Sequence, residues 1–141
     1  MNNTFTISRS AELESLGIFR EFIDGICQEH PEIGASTCYD LKLAVDEACT
    51  NVITHGYAGM NPGSMILAIV LEPGRVRMTI TDFGHPFEPS EPPAPDMESI
   101  LEGQREGGFG LFLIYQTMDQ VDYQAGRDGN HLTLVKRLPP R

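Results

Sequence analysis

Residues 40–57 read DLKLAVDEACTNVITHGY, and the fold is decided by how this stretch is read. Leu41, Val45, Ala48 and Val52 recur at helical spacing, which predicts a single helix from Asp40 to Tyr57. Thr37 can cap its start, Asp40 sits in the first turn, and Gly56 ends it before a loop of Ala, Gly, Met, Asn and Pro. At about 100° per residue, Glu47, Asn51 and His55 form a second stripe along the edge of the apolar one and drift toward it by His55. A carboxylate, a carboxamide and an imidazole are thus stacked one turn apart where helix meets core. An acid and an amide oxygen four residues apart suit a hydrated Mg²⁺ and an activated water or hydroxyl. They equally suit solvated helix surface, so later segments must choose.

The totals set limits on what that site can serve. At 141 residues the sequence predicts one domain, 1–141, with 40% apolar and 8% aromatic residues. No apolar run approaches the roughly 18 residues of a membrane span, and MNNTFT lacks the charged and apolar regions of a signal peptide; the expectation is a cytoplasmic protein with no membrane partner. Ten Lys and Arg against twenty acids give a net charge of −10, which argues against nucleic acid and favours basic or mixed-charge protein partners. Cys27, Cys38 and Cys49 are odd in number with no CxxC pair, which predicts buried thiols rather than a metal or redox site.

On either side of the central stretch the periodicity alternates between helix and strand. Asn3 to Ile7 alternates as a short first strand. Ser8 or Ser10 can cap the next helix, in which Leu13, Leu16, Phe19, Ile23 and Ile26 keep helical spacing as far as Cys27. His30 before Pro31 closes it and reads as a surface cap rather than a phosphoacceptor. Gly63 to Leu71 predicts a central strand covered on both faces. Pro73 and Gly74 turn it into Arg75 to Thr81, with Val76, Met78 and Ile80 on a buried face. That strand runs into Asp82-Phe83-Gly84, where a carboxylate at a strand end beside a glycine can accept a hydrogen bond from an exocyclic amine or simply end the strand. Residues 86–106, rich in Pro and Glu, read as a cover over a site or as a linker. Gly107, Gly108 and Gly110 open another helix, as a phosphate cradle or a hinge. Val121 to Ala125 and His131 to Arg137 form a closing hairpin, with Lys136 and Arg137 a solvated edge.

In their order these segments resemble the anti-sigma-factor serine kinase family of the GHKL (Bergerat-type) ATPases. Residues 47–57 look like its N box, residues 82–87 like its D-x-G-x-x-F adenine box, and residues 107–114 like its glycine box. The resemblance implies an α/β two-layer sandwich, a mixed and mostly antiparallel sheet with helices on one face, and ATP held between helices and lid. It implies that Asn51 coordinates Mg²⁺, that Asp82 binds the adenine amine, and that Gly84, Gly107, Gly108 and Gly110 let backbone approach the nucleotide. Glu47 would be the base that prepares the attacking hydroxyl, and His55, which also fits the pattern, would be a ring supporting the lower end of the site. Arg105 is the lone basic residue between Glu88 and Glu106, hence the local candidate to neutralise the γ-phosphate. The reaction implied is transfer of the γ-phosphoryl of ATP to a serine or threonine of a STAS-type antagonist that competes with a sigma factor, by a kinase that is a homodimer. The alternative is a module, with or without ATP, that regulates a partner by sequestration alone; Glu47 and Asn51 together favour the enzyme.

Overall fold

The computed structural model describes residues 3–86 and 113–139. Strand β1 (Thr4–Ser10) leads into α1 (Glu14–Glu29), a 3₁₀ turn (Pro31–Ile33) and α2 (Ala35–Asn51), which runs on as a π-helical turn (Val52–Gly56). Then come β2 (Ser64–Glu72), β3 (Arg75–Asp82), a helical segment at 113–117, β4 (Gln120–Gly126) and β5 (Gly129–Arg137). The strands form one sheet in the order β1-β2-β3-β5-β4, and every pairing among them is antiparallel. The mixed component of the expected sheet is absent from the described residues, as hairpins join β2 to β3 and β4 to β5 and need no crossover.

The side-chain period of two explains the layering. Met65, Leu67 and Ile69 of β2, Val76, Met78 and Ile80 of β3, and Leu132 and Leu134 of β5 fall on one face and are buried. Phe19, Ile23 and Ile26 of α1 and Leu41, Ala44, Val45 and Ala48 of α2 meet them, joined by Ile114 and Met118. Each large side chain so removed from water contributes about 1.5–3 kcal/mol.

Several local expectations give way. β2 is neither central nor covered on both faces: Ile66, Ala68 and Val70 are only half-buried, because the helices pack on one side and β3 takes the middle of the sheet. Ser8 and Ser10 belong to β1 and cap nothing; instead the Ser15 hydroxyl donates to the Ser10 carbonyl at 2.7 Å. α2 starts five residues before Asp40, and Thr37 is buried within its first turn rather than capping it. Gly34, at φ +82°, takes the cap position because only a residue free of Cβ reverses the chain there cheaply. Cys38 and Cys49 are buried as expected and Cys27 is half-buried.

Candidate nucleotide site

Three stretches of backbone converge at one end of the sheet. The first is the end of β3. Strand alternation carries Asp82 onto the helix-covered face in line with Val76, Met78 and Ile80, where it is only 4% exposed. A carboxylate so placed needs hydrogen-bond donors. Its Oδ1 accepts the Gly84 amide at 2.9 Å and the Asn130 Nδ2 at 2.9 Å. Both of these donors are neutral. Asn130 stands opposite Asp82 in the β3–β5 register and is 4% exposed; its Nδ2 also donates to the Gly84 carbonyl at 2.9 Å.

The π-helical turn is the second stretch. A Cβ on Gly56 would stand 3.6 Å from Asp82 Oδ1, and the Gly56 carbonyl accepts the His85 amide at 2.5 Å. Gly84 presses on the Gly56 peptide so closely that a Cβ there would collide with its carbonyl carbon and oxygen. The Tyr57 hydroxyl closes the contact, donating to the Ser64 carbonyl and accepting the Phe83 amide, both at 2.9 Å. Burial pushes that phenol's pKa up, which keeps it a neutral donor. Helix end, loop and strand end are therefore fastened to one another by backbone atoms. This is what a rigid seat for a flat ligand requires.

The third stretch is the C-terminal half of α2. Glu47 and Asn51 are half-buried and lie one turn apart, as their spacing predicts. Burial, then repulsion from Asp46, raises the Glu47 carboxyl above its ordinary pKa. On the same helix the Cys49 thiol is pushed up to about 12 by burial, with the charges of Asp46 and Asp82 adding to it. That influence of Asp82 puts the middle of α2 within electrostatic reach of the end of β3. His55 behaves differently from the expected supporting ring: it is exposed. The π turn, with more residues per turn than an α-helix, rotates His55 off the stripe that α-helical spacing assigned to it.

The remaining expected site residues, Gly107, Gly108, Gly110 and Arg105, lie outside the described residues, as do most of the expected cover and Phe87. Helix 113–117 follows the glycine segment in sequence and is anchored by buried Ile114 and Met118. A cavity of about 390 Å³ opens at the strand ends, lined among others by Phe83, Gly84, Arg127 and Asn130. A larger cleft of about 600 Å³ lies at the far end of the strands, around Pro73, Gly74 and Leu138. Its two carboxylates are engaged, Glu32 near His30 and Glu72 with Arg75 and Arg77. The sequence reading gives no role to Asn130, which falls between the two predicted strands of the closing hairpin, or to Tyr57. Pairing the two hairpins in register, Asp82 against Asn130, is the signal that finds the first.

A five-stranded antiparallel sheet with helices on one face, an aspartate at a strand end and an acid-and-amide helix beside it, is the architecture of a histidine-kinase-like ATPase. The family model described as the histidine kinase-like ATPase domain matches residues 9–136, and the chain belongs to that family. Within it, the chain has relatives that are named as protein kinases. It is 32% identical over 103 residues to the serine/threonine-protein kinase BtrW of Bordetella bronchiseptica, covering 72% of each chain. With the serine-protein kinase RsbW of Halalkalibacterium halodurans it shares 34% over 125 residues, 84% of this chain and 74% of that one. Among solved structures, that of the RsbU and RsbW domains of a Mycobacterium tuberculosis protein superposes with a TM-score of 0.69 at 23% identity, over 98% of this chain and 34% of that one. The histidine kinase domain of a blue-light activated kinase from Erythrobacter litoralis does so at 0.56 and 18%, over 89% and 60%. These two share the fold.

Proposed function

We propose that the protein is an ATP-dependent serine/threonine kinase and anti-sigma factor that phosphorylates a STAS-type antagonist and sequesters a sigma factor. One observation carries most of the weight: a buried carboxylate, Asp82, is held among the described residues by neutral donors alone and fastened through Gly84 and Gly56 to the helix that bears Glu47 and Asn51. An acceptor of that kind at a dry strand end fits the amino group of adenine. Gly84 gives the base close access, and Gly107, Gly108 and Gly110 offer backbone amides to the phosphates, with Arg105 beside them.

Among the described residues no cluster of three His, Cys, Asp or Glu gathers for a metal. The donor set fits Mg²⁺ all the same, since that ion keeps its waters and phosphate ligands and needs few protein oxygens, here the carboxamide of Asn51. When bound, it draws charge from the phosphates of ATP. The chain's own part is orientation and proton handling. Glu47, its carboxyl lifted by burial and by Asp46, accepts a hydrogen bond from the attacking hydroxyl and takes its proton as the γ-phosphoryl leaves ATP.

The partner switch is electrostatic. Phosphorylation adds about two negative charges to an antagonist facing a chain of net −10, which weakens that complex and frees the kinase for the sigma factor. In this reading the chain is a single cytoplasmic domain acting as a homodimer, and no helix among the described residues is long and apolar enough to cross a membrane. Incubation with labelled ATP, Mg²⁺ and a candidate antagonist tests the reading. Label should pass to antagonist serine or threonine with wild type and not with Glu47→Gln. Intact ATP binding without any labelling would leave a sequestering module instead.

A further inference from the structure

The reading of Asp82 as the base-recognition group leaves open what makes this carboxylate selective, and the next inference rests on that reading. Asp82 has two oxygens. Oδ1 is saturated by the Gly84 amide and by Asn130 Nδ2, each at 2.9 Å. Oδ2 accepts no hydrogen bond from a described residue. The orientation of the Asn130 amide follows from its neighbours. Both of them, the Asp82 carboxylate and the Gly84 carbonyl, only accept, so the nitrogen must face them.

We propose that Asn130 is the positioning residue that sets base selectivity: it fixes the Asp82 carboxylate with one oxygen spent and the other presented as a bare acceptor to the purine 6-position. A 6-amino group offers a hydrogen to that oxygen. A 6-oxo group brings a second acceptor against it and is refused. Without Asn130 the Gly84 amide is the one described donor left on Oδ1, and the carboxylate can tilt about its Cβ–Cγ bond away from the base.

The experiment is calorimetric titration with ADP and with IDP, each with Mg²⁺, on wild type, Asn130→Ala and the isosteric Asn130→Asp, with urea unfolding to confirm that each is folded. Wild type should bind ADP tighter than IDP by about tenfold or more. Asn130→Ala should weaken ADP by about tenfold and IDP by less than about twofold, so that the ratio falls toward one. Asn130→Asp keeps the volume and sets two carboxylates side by side. It should lose the preference at pH 8 and regain it as pH falls and the pair shares a proton, a recovery that a merely structural role would not produce.

Parallel losses for ADP and IDP, an unchanged ratio in both variants, or a wild type indifferent to the 6-substituent would each overturn the inference while leaving the nucleotide site standing. A wild type that binds neither nucleotide overturns the site reading as well, and the two failures are thereby told apart.

Discussion

Two carboxylates end neighbouring strands, and the protein treats them in opposite ways. Glu72, at the end of β2, meets Arg75 Nε at 2.6 Å and Arg77 Nη2 at 3.1 Å. Those cations, Arg75 first, hold its carboxyl below the ordinary carboxylate range. Asp82, at the end of β3, is buried and among the described residues meets only an amide N–H and a carboxamide. At one end of the sheet the charge is spent within the molecule. At the other, neutral donors are all that the described residues bring to the carboxyl, and in the proposed reading the ligand supplies a further one.

Glu47 extends the contrast, for burial opposes its ionisation and its neighbour Asp46 adds repulsion. Glu47→Gln should lower phosphoryl transfer to the antagonist by about 10²–10⁴, with ADP binding unchanged within about twofold. The same substitution tests what holding that charge costs. A carboxyl whose pKa is raised by folding leaves stability intact below the ordinary carboxylate range and loses it as pH rises through the raised value. Glu47→Gln should therefore be slightly more stable than wild type at neutral pH, by no more than about 0.5 kcal/mol after solvent screening, and the gain should vanish in acid. Equal transfer by both proteins would take Glu47 out of the reaction.

The next effect falls on binding. Asp82→Ala removes the acceptor and leaves Asn130 and the Gly84 amide without it, so ADP affinity should fall by about 100-fold in calorimetry. If affinity survives, Asp82 is merely the end of a strand. Gly84→Ala tests the fastening itself, since its Cβ would collide with the Gly56 carbonyl. It should cost about 1–3 kcal/mol in urea unfolding, through displacement of the π turn from the end of β3.

How far such contrasts can be read from sequence depends on range. The hairpin through Pro73 and Gly74, the closure of α1 at His30 and the burial of Val76, Met78 and Ile80 are local in origin, and periodicity and turn residues specify them. The stripe of Glu47 and Asn51 was legible for the same reason. His55 was not, because a π turn is one extra residue in a helical register and no composition rule marks it. The start of α2 was hidden by Gly34, whose left-handed backbone conformation has no periodic signature. Asn130 lies 48 residues from the carboxylate it holds, and only the pairing of β3 with β5 brings it there.

The smallest expected effect lies at the Glu72 end. Arg75→Ala removes the shorter ion pair but leaves Arg77 in contact, and both arginines stand close to half-exposed, where solvent competes for the charges. A carboxyl whose pKa is lowered by folding contributes stability above the ordinary carboxylate range and loses it as pH falls through the lowered value. The substitution should therefore shift the urea midpoint slightly at neutral pH, less in roughly 1 M salt, and not at all in acid below the lowered pKa. ADP binding at the far end of the strands should stay where it was. A loss of nucleotide affinity in Arg75→Ala would mean that the two strand ends are coupled along β3, and Glu72 would then no longer serve as the spent carboxylate against which Asp82 is judged.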